Sequence, residues 1–384
     1  MLAGPIFVVG TMRSGSTLFR LILDAHPNIS ISEETGFMAG LAATRQIPNW
    51  QHGRGWFQRI GWTEEEFDER LRDFYAGLFE RYALAQGKSR WGEKTPFHSG
   101  YMALMASVFP DAVFVGIVRH PGAVVHSLVG KFHYQLGEAA AYWDGTNKEI
   151  LRRGLELGED RFALLRYEDL VQHPEPTLRE LIGWLDEPWS DDVLRHNQVQ
   201  AARGAPRISA GNTRTRDPIK PDLADRWAEV ITKADLRELS DRTGELAGFF
   251  GYDPAGPGTR GPLLAVEGTG RTRLLTGGAL TRWQHGPRAV SLEPSEETVI
   301  MPEMSAGELA KRLQQAETAL ARIRSRRAVR WTNAFRRTQR RVTGLPLELR
   351  TAATEALRTP RGQDRSPDRP PDERSARFDL DAPQ

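Results

Sequence analysis

Three short runs of apolar residues mark the first 255 positions of the chain, and polar or amphipathic stretches separate them. The runs are Ile6–Val9, Val113–Val118 and Phe162–Leu165. Apolar runs of this length are typical of strands that are buried on both faces of a parallel sheet. The pattern predicts an α/β domain over residues 1–255, with a central parallel sheet flanked by helices.

The chain changes character after residue 255. Residues 256–304 are rich in Gly, Pro and Thr and predict a linker or a loosely packed extension. Residues 305–345 predict a basic amphipathic helix, which begins with a short coiled-coil pattern of apolar residues between Leu309 and Ile323. Residues 346–384 are rich in Pro, Arg and Asp and predict a disordered tail.

Composition excludes several classes of protein. The 384 residues include no cysteine, which excludes a disulfide framework, a zinc ribbon and a thiol nucleophile. No apolar stretch approaches the roughly 20 residues of a membrane span. These features predict a cytoplasmic protein.

Charge is unevenly distributed along the chain. The net charge is +2, yet Lys311–Arg341 contains eleven Lys and Arg residues and one acid, so the rest of the chain carries −8. The part of the chain outside this basic segment is therefore not expected to bind nucleic acid in general, and no specific nucleic acid is predicted as a partner. The basic helix is predicted to dock on a membrane surface or on a partner protein, or to be a plain solvated helix.

The segment Gly10–Thr17 has the strongest chemical signal. A buried strand, a glycine turn and a helix start follow one another there, which is the order that a phosphate cradle needs. The glycine spacing is that of a nucleotide-triphosphatase loop, but Ser16 stands at the lysine position and the cation comes earlier, as Arg13. Arg119, rather than a Mg²⁺-binding acid, follows the second strand. The segment predicts an anion site without a metal.

The stretch Pro5–Thr35 resembles the start of a sulfotransferase that uses 3′-phosphoadenosine 5′-phosphosulfate (PAPS), and it is most similar to the protein-tyrosine sulfotransferases. Their loop reads P-R-S-G-T-T-L and is followed by D-A-H-P and G-E-E-T, whereas this chain has Met12, Ser16 and Ser32 at three of those positions. The resemblance implies a P-loop-containing sulfotransferase fold. It assigns binding of the 5′-phosphosulfate to Arg13, Ser14, Gly15, Ser16 and Thr17.

The resemblance extends to residue 254 and implies further nucleotide contacts. Arg119 and Ser127 match the residues that hold the 3′-phosphate in the family, and Lys131 adds charge on the same helix face. Tyr167 matches a tyrosine near the adenine. The loop that closes over the nucleotide is matched by residues 209–220, which contain Asn212, Thr215 and Lys220.

The catalytic groups are also implied by the resemblance. Glu34 matches the general base, and Lys94, in a Gly/Pro-containing stretch that reads as a loop, matches the lysine that stabilises the transferring group and the leaving oxygen. Arg13 adds positive charge there, and Ser209 is a second stabiliser. Glu33 binds the acceptor or orients the loop. His98 and His133 are the alternative bases.

The sequence thus predicts a sulfotransferase that moves a sulfuryl group from PAPS to a hydroxyl acceptor. The acceptor is a carbohydrate, a lipid, a small phenol or a tyrosine, and the sequence does not choose among them. Two alternatives stay open. One is a P-loop small-molecule kinase, and the other is a non-catalytic nucleotide-binding scaffold that its basic helix recruits.

Overall fold

The computed structural model describes residues 4–46, 52–204, 215–221, 224–254, 256–259, 273–284 and 291–292. All of them belong to a unit that runs over Met1–Pro302. The predicted basic helix at 305–345 and the predicted disordered tail at 346–384 lie outside the described residues, as do Ser209 and Asn212. None of the helices within the described ranges has both the length and the apolar character of a membrane span.

A mostly parallel sheet lies at the centre of the described structure. Its strands are β1 (Ile6–Val9), β2 (Ile29–Ile31), β3 (Arg90–Lys94), β4 (Val113–Val118), β5 (Phe162–Arg166) and β6 (Leu275–Thr276). Their order across the sheet is β2-β3-β1-β4-β5-β6, and β6 pairs antiparallel with β5. The three apolar runs correspond to β1, β4 and β5, so the predicted α/β sheet is confirmed.

Helices cover both faces of the sheet. They are α1 (Ser16–Ala25), α2 (Phe37–Arg45), α3 (Gly53–Arg59), α4 (Glu64–Ala85), α5 (Met102–Val108), α6 (Pro121–Phe132), α7 (Leu136–Leu157), α8 (Tyr167–Gln172), α9 (Pro174–Trp184), α10 (His196–Ala202), α11 (Lys233–Phe249) and α12 (Gly277–Gln284). Short 3-10 turns occur at Pro96–Tyr101, Asp191–Val193 and Arg226–Glu229.

Local sequence signals explain where the longer helices begin. A capping box between Thr63 and Glu66 opens α4, because each residue's side chain bonds the backbone of the other. A similar reciprocal pair, Gln135 and Glu138, opens α7. Pro121 occupies the first turn of α6, as the sequence predicts, since a missing N–H costs nothing there.

The alternation of side chains along β1 divides the interior into two cores. Phe7 and Val9 pack into the core that α4 and α7 cover, whereas Ile6 and Val8 pack into the core that α1 and α9 cover. All four side chains are almost completely buried. A strand that is apolar at every position is therefore required here, because neither of its faces meets water.

The strand order creates a crevice at the carboxyl end of β1. This strand pairs with β3 on one side and β4 on the other, with Val8 opposite Lys94 and Val9 opposite Gly116. Ligands of such sheets bind where the chain connections leave in opposite directions from neighbouring strands. Arg13, Lys94 and Arg119 lie at or just after the carboxyl ends of β1, β3 and β4.

The structure corrects the predicted boundary at residue 255. Within the segment expected to be a linker or a loosely packed extension, Leu275 pairs with Leu164 of β5, and Leu275 and Leu280 are completely buried. A side chain at Gly277 would meet the Gly158 carbonyl oxygen at 2.0 Å, so the strand-to-helix turn packs directly on the loop before β5. Residues 273–284 are therefore part of the α/β domain, which the Gly- and Thr-rich local sequence conceals.

Truncation at two positions tests this boundary. A chain that ends at residue 304 keeps β6 and α12, whereas one that ends at residue 255 exposes the β5 edge and loses the burial of Leu275 and Leu280. Each buried leucine contributes about 1.5–3 kcal/mol, so the shorter chain is expected to lose several kcal/mol of unfolding free energy. Urea unfolding measures the difference. Equal midpoints for the two truncated chains would contradict the corrected boundary.

Candidate active site

The segment from Gly10 to Thr17, here called the phosphate loop, joins β1 to α1. Its backbone turns through left-handed conformations at Arg13 (φ 70°) and Gly15 (φ 92°). At Gly15 a side chain would also lie 2.3 Å from the Tyr167 ring, so only glycine fits between the loop and α8. Left-handed backbone at a non-glycine residue is typical of functional sites. The turn leads directly into the N-terminus of α1, where unpaired N–H groups favour an anion.

Buried side chains hold the phosphate loop from behind. The Ser99 hydroxyl accepts from the Gly10 N–H at 3.0 Å and donates to the Gly10 carbonyl at 3.2 Å. The Tyr142 hydroxyl accepts from the Met12 N–H at 2.9 Å. The buried hydroxyls of Thr11 and Ser14 find no hydrogen-bond partner among the described residues. Because buried polar groups are normally satisfied, these two hydroxyls fit a loop that receives a polar ligand.

Two arginines give the loop its positive charge. The Arg13 Nε donates to the Ser127 hydroxyl of α6 at 2.9 Å, and the Arg119 guanidinium lies 4.3 Å from the centre of the Tyr167 ring. Burial lowers the pKa of Arg13, and the charge of Arg119 lowers it further. The structure therefore brings Arg13, Arg119, Ser127 and Tyr167 together, as the resemblance implies. An anion between the two guanidinium groups would relieve their repulsion.

Lys94 and Glu34 meet at the edge of the phosphate loop. Lys94 ends β3, rather than lying in a solvated loop, and its side chain is 1% exposed. Its ammonium group forms an ion pair with Glu34 and donates to the Thr17 hydroxyl at 3.4 Å. Burial lowers the pKa of Lys94, while the carboxylate of Glu34 opposes that effect. Residues 32–36, here called the acid loop, are thereby tied to the phosphate loop.

A buried carboxylate that sequence reasoning missed lies beside Lys94. Glu93 accepts from the Thr95 hydroxyl at 2.6 Å and from the Thr35 hydroxyl of the acid loop at 3.5 Å. Its other oxygen lies 2.6 Å from Nδ1 of His98. Since Ser99 follows His98 and holds Gly10, this network connects the acid loop with the phosphate loop. The sequence signal that could have indicated Glu93 was its position as a charged residue directly before Lys94.

A second missed carboxylate, Glu168, supports the region of Arg119. One of its oxygens accepts from the His120 N–H at 3.1 Å, and the other accepts from the Tyr252 hydroxyl at 2.7 Å. The Trp143 indole N–H donates to the Arg119 carbonyl at 2.9 Å. Burial raises the pKa of the Glu168 carboxyl, and Arg119 opposes the rise. The backbone around Arg119 is therefore held in place by the buried side chains of Glu168, Tyr252 and Trp143.

The remaining predicted residues have varied positions. Ser16 is buried at the first position of α1, and Lys131 is exposed in the last turn of α6. The Thr215 carbonyl accepts from His196 Nε2 at 3.2 Å, and Lys220 pairs with Asp217 at 3.4 Å on the surface. Neither of these two contacts, of Thr215 with His196 and of Lys220 with Asp217, involves the phosphate loop.

The two alternative bases have opposite environments. His98 is buried beside Glu93, where an acceptor from solvent does not reach it. His133 is exposed and ends α6 in a left-handed conformation with a φ of 60°. Glu34 is the candidate that is both exposed by half and in contact with Lys94.

Comparisons with known proteins agree with this geometry. The sequence model of the sulfotransferase family matches residues 5–191. Protein-tyrosine sulfotransferase 1 of Danio rerio is 30% identical over 262 residues, which are 65% of this chain and 72% of that protein. The chain belongs to the sulfotransferase family. As a sulfotransferase, it is an enzyme that transfers a sulfuryl group.

Other relatives of this sulfotransferase differ in how much they share with it. The protein-tyrosine sulfotransferase of Drosophila melanogaster is 27% identical over 65% of the chain, which spans about half (52%) of that relative's length. Among solved structures, the sulfotransferase domain from the Synechococcus PCC 7002 olefin synthase is 24% identical, with a TM-score of 0.46 and coverage of 65% of this chain and 94% of that one. A mouse sulfotransferase complexed with PAP is 13% identical, with a TM-score of 0.37 and coverage of 64% and 84%.

Removal of Glu93 tests the buried network of the sulfotransferase. In Glu93→Ala the Thr95 hydroxyl and the His98 ring lose their acceptor, and unsatisfied buried groups cost about 1–3 kcal/mol each. For the two groups together, we expect the unfolding free energy in urea to fall by about 2–6 kcal/mol. Glu156→Ala is the control, because the Glu156 carboxylate also has several partners, Arg152 and Arg153, but is 51% exposed, and surface ion pairs contribute about 0–1 kcal/mol. Similar losses in both variants would show that Glu93 has no special structural role.

Proposed function

We propose that the chain transfers a sulfuryl group from PAPS to the hydroxyl of an acceptor. The observation that carries this proposal is the meeting of Glu34, Lys94 and Thr17 at the phosphate loop. Sulfuryl transfer needs a base that accepts the proton of the acceptor, which a carboxylate can be, and a cation near the developing negative charge. In this structure the two groups are in direct contact at the edge of an anion cradle.

The residues around the loop fit a donor that is anionic at two places. The buried hydroxyls of Thr11 and Ser14 are the observation that supports the fit. The 5′-phosphosulfate would be held by the phosphate loop, through Arg13, Ser14, Gly15, Ser16 and Thr17. The 3′-phosphate would be held by Arg119 and Ser127, and the adenine would lie near Tyr167. Bound PAPS would supply the sulfuryl group.

The difference in exposure between Glu34 and Lys94 supports separate roles for them. Glu34 is 49% exposed, so an acceptor hydroxyl can reach it from solvent, and the proposed role is to take the hydroxyl proton. Lys94 is almost completely buried and faces Thr17, so its proposed role is to stabilise negative charge on the leaving oxygen. Until the donor is bound, each group supplies the counter-charge of the other.

The choice of acceptor depends on the relatives. Their names favour a tyrosine hydroxyl as acceptor, and carbohydrate, lipid and small phenol hydroxyls stay within the proposed class.

Calorimetry with adenosine 3′,5′-bisphosphate tests the donor: the proposal requires binding without Mg²⁺. Mg²⁺-dependent ATP binding without preference for a 3′-phosphate would favour a kinase. Labelled PAPS and mass detection of SO₃ addition test turnover, and nucleotide binding without any turnover would favour a scaffold.

Arg119→Ala tests the contact with the 3′-phosphate. A charge-assisted hydrogen bond contributes about 1.5–3 kcal/mol, so the affinity for adenosine 3′,5′-bisphosphate is expected to fall roughly 10- to 150-fold in calorimetry. The affinity for the analogue without the 3′-phosphate should change far less. Arg179→Ala is a matched control, since Arg179 also lies over an aromatic ring, at 4.1 Å from that of Trp189, but is half exposed on α9. An equal loss for both analogues would place Arg119 elsewhere in the site.

Glu34→Gln and Lys94→Ala separate proton removal from charge stabilisation. Loss of a general base costs about 10²–10⁴-fold in turnover. Donor affinity should not fall in Glu34→Gln, because the donor and Glu34 compete for Lys94. An acceptor that is already ionised at the assay pH should partly rescue Glu34→Gln, because no proton has to be removed. It should leave Lys94→Ala slow. Rates with a series of phenols of falling pKa measure the contrast.

Near-wild-type turnover of Glu34→Gln with a non-ionised acceptor would contradict the assignment of Glu34. His133→Ala would then be the next variant to measure, because His133 is the exposed alternative. Loss of donor affinity in Glu34→Gln would instead indicate that Glu34 acts mainly through Lys94.

A further inference from the structure

Two successive side chains of the acid loop contact the end of β3. Glu34 pairs with Lys94, and Thr35 donates its hydroxyl to Glu93 at 3.5 Å. Because Glu93 and Lys94 are neighbours in a strand, their side chains point to opposite faces of the sheet. The acid loop therefore crosses the carboxyl end of β3 and is attached to this strand on both of its faces.

The neighbouring strand β1 identifies the two faces. Glu93 lies opposite Phe7, whose side chain is in the core that α4 and α7 cover. Lys94 lies opposite Val8, whose side chain is in the core that α1 and α9 cover, and it also contacts Thr17 of α1. The contact with Lys94 is thus on the side of the phosphate-loop helix, and the contact with Glu93 is on the other side of the sheet.

The contact with Lys94 weakens under the proposed function when the donor is bound. The leaving oxygen and Glu34 then compete for one ammonium group, and a carboxylate that stays paired with a cation is a poorer base. Glu34 has to give up at least part of this contact at the step in which its position matters most. A second contact is needed to keep the carboxylate beside the acceptor.

The contact with Glu93 does not depend on the donor. Glu93 is 1% exposed, and its two oxygens lie 2.6 Å from the Thr95 hydroxyl and from Nδ1 of His98. The Thr35 hydroxyl also accepts from the Phe37 N–H at 3.2 Å, so it joins the acid loop, the start of α2 and a buried carboxylate. Its bond to Glu93 is long, as hydrogen bonds at active sites often are before the substrates bind.

We infer that Thr35 is a positioning residue, whose hydrogen bond to Glu93 keeps Glu34 in place as the base when the donor engages Lys94. The inference rests on the proposed function, since Glu34 has to be the base. Thr35 acts only through Glu34, so its contribution to the rate disappears when that carboxylate is absent. The hydroxyl is the part of the side chain that matters, so serine can replace threonine there.

Thr35→Val and Thr35→Ser test the role of the hydroxyl. The first variant removes the hydroxyl and keeps the shape of the side chain, and the second keeps the hydroxyl. With labelled PAPS and 4-methylphenol, a phenol of ordinary acidity, Thr35→Val is expected to lower kcat by about 10- to 100-fold, because small misplacements of a catalytic group cost that much. The KM for PAPS should not rise, and Thr35→Ser should recover most of the rate.

The same substitution in a Glu34→Gln background separates positioning from a general structural defect. Without the base there is nothing to position, so adding Thr35→Val should change kcat by less than about twofold. 4-Nitrophenol, which is largely ionised at mildly alkaline pH, should likewise conceal most of the defect of Thr35→Val. Equal losses in both backgrounds, or with both phenols, would overturn the inference, because a general structural defect would slow all of these reactions alike.

Hydrogen exchange tests the attachment of the acid loop without turnover. With adenosine 3′,5′-bisphosphate at saturation, the Phe37 amide of Thr35→Val is expected to exchange at least about tenfold faster than in the native protein, and Thr35→Ser should keep its protection. Thr44→Val is the matched control, because the Thr44 hydroxyl donates to the Gly40 carbonyl at 2.9 Å within α2. Unchanged exchange in Thr35→Val, or the same acceleration in Thr44→Val, would overturn the inference even if the enzyme accepts neither phenol.

The outcomes distinguish failure of this inference from failure of the proposed function. Near-wild-type turnover of Glu34→Gln, or nucleotide binding that needs Mg²⁺, contradicts the proposed function whatever the Thr35 variants show. A slow Glu34→Gln together with a native rate in Thr35→Val contradicts the role of Thr35 alone.

Discussion

The buried ammonium group of Lys94 is the constraint on which the arrangement of the site depends. Moving a charge out of water is expensive unless partners compensate it, and Lys94 is 1% exposed. Because Lys94 lies opposite Val8, it is fixed at the carboxyl end of the strands, where the phosphate loop begins. Compensation can therefore come only from groups at that edge. Glu34 and Thr17 supply it, and in doing so they bring the acid loop and the phosphate loop together.

The half of the site around the phosphate loop is rigid because its polar groups are buried in connected networks. Ser99 holds Gly10 through two hydrogen bonds, and Glu93 and Glu168 each accept from groups in distant parts of the chain. A half-satisfied buried network costs more than an apolar core, so these contacts allow little rearrangement. Fixed charges that are already oriented stabilise developing charge without paying for reorganisation. The acid loop, by contrast, carries Glu34 and leads to Phe37, and both are partly open to solvent.

The sequence predicts those parts of the fold in which the local pattern of residues indicates a buried strand or a binding loop. The strands β1, β4 and β5 consist of apolar runs, and the phosphate loop has its glycines at a recognisable spacing. In contrast, β3 reads Arg-Trp-Gly-Glu-Lys, in which three of five residues are charged, and its burial depends on ion pairs with partners elsewhere. The roles of Glu93 and Glu168 are equally hidden, because Glu93 bonds a residue 58 positions away and Glu168 one 84 positions away. Contacts between residues so far apart in sequence form only in the folded chain, so no local pattern indicates them.

The contrast between the two halves explains why recognition of the donor and recognition of the acceptor are separate problems in this chain. The anion cradle follows from backbone conformation and buried polar contacts, which the phosphate-loop motif determines. The acid loop, which carries Glu34, lies outside the phosphate-loop motif, so nothing in the motif determines which acceptor is bound. The halves are joined through the contact between Lys94 and Glu34. Under the proposed function, an anion at the phosphate loop competes with Glu34 for Lys94, and the carboxylate then becomes available to a hydroxyl. The same ion pair that makes the buried lysine tolerable would thus link the readiness of the base to occupancy of the donor site.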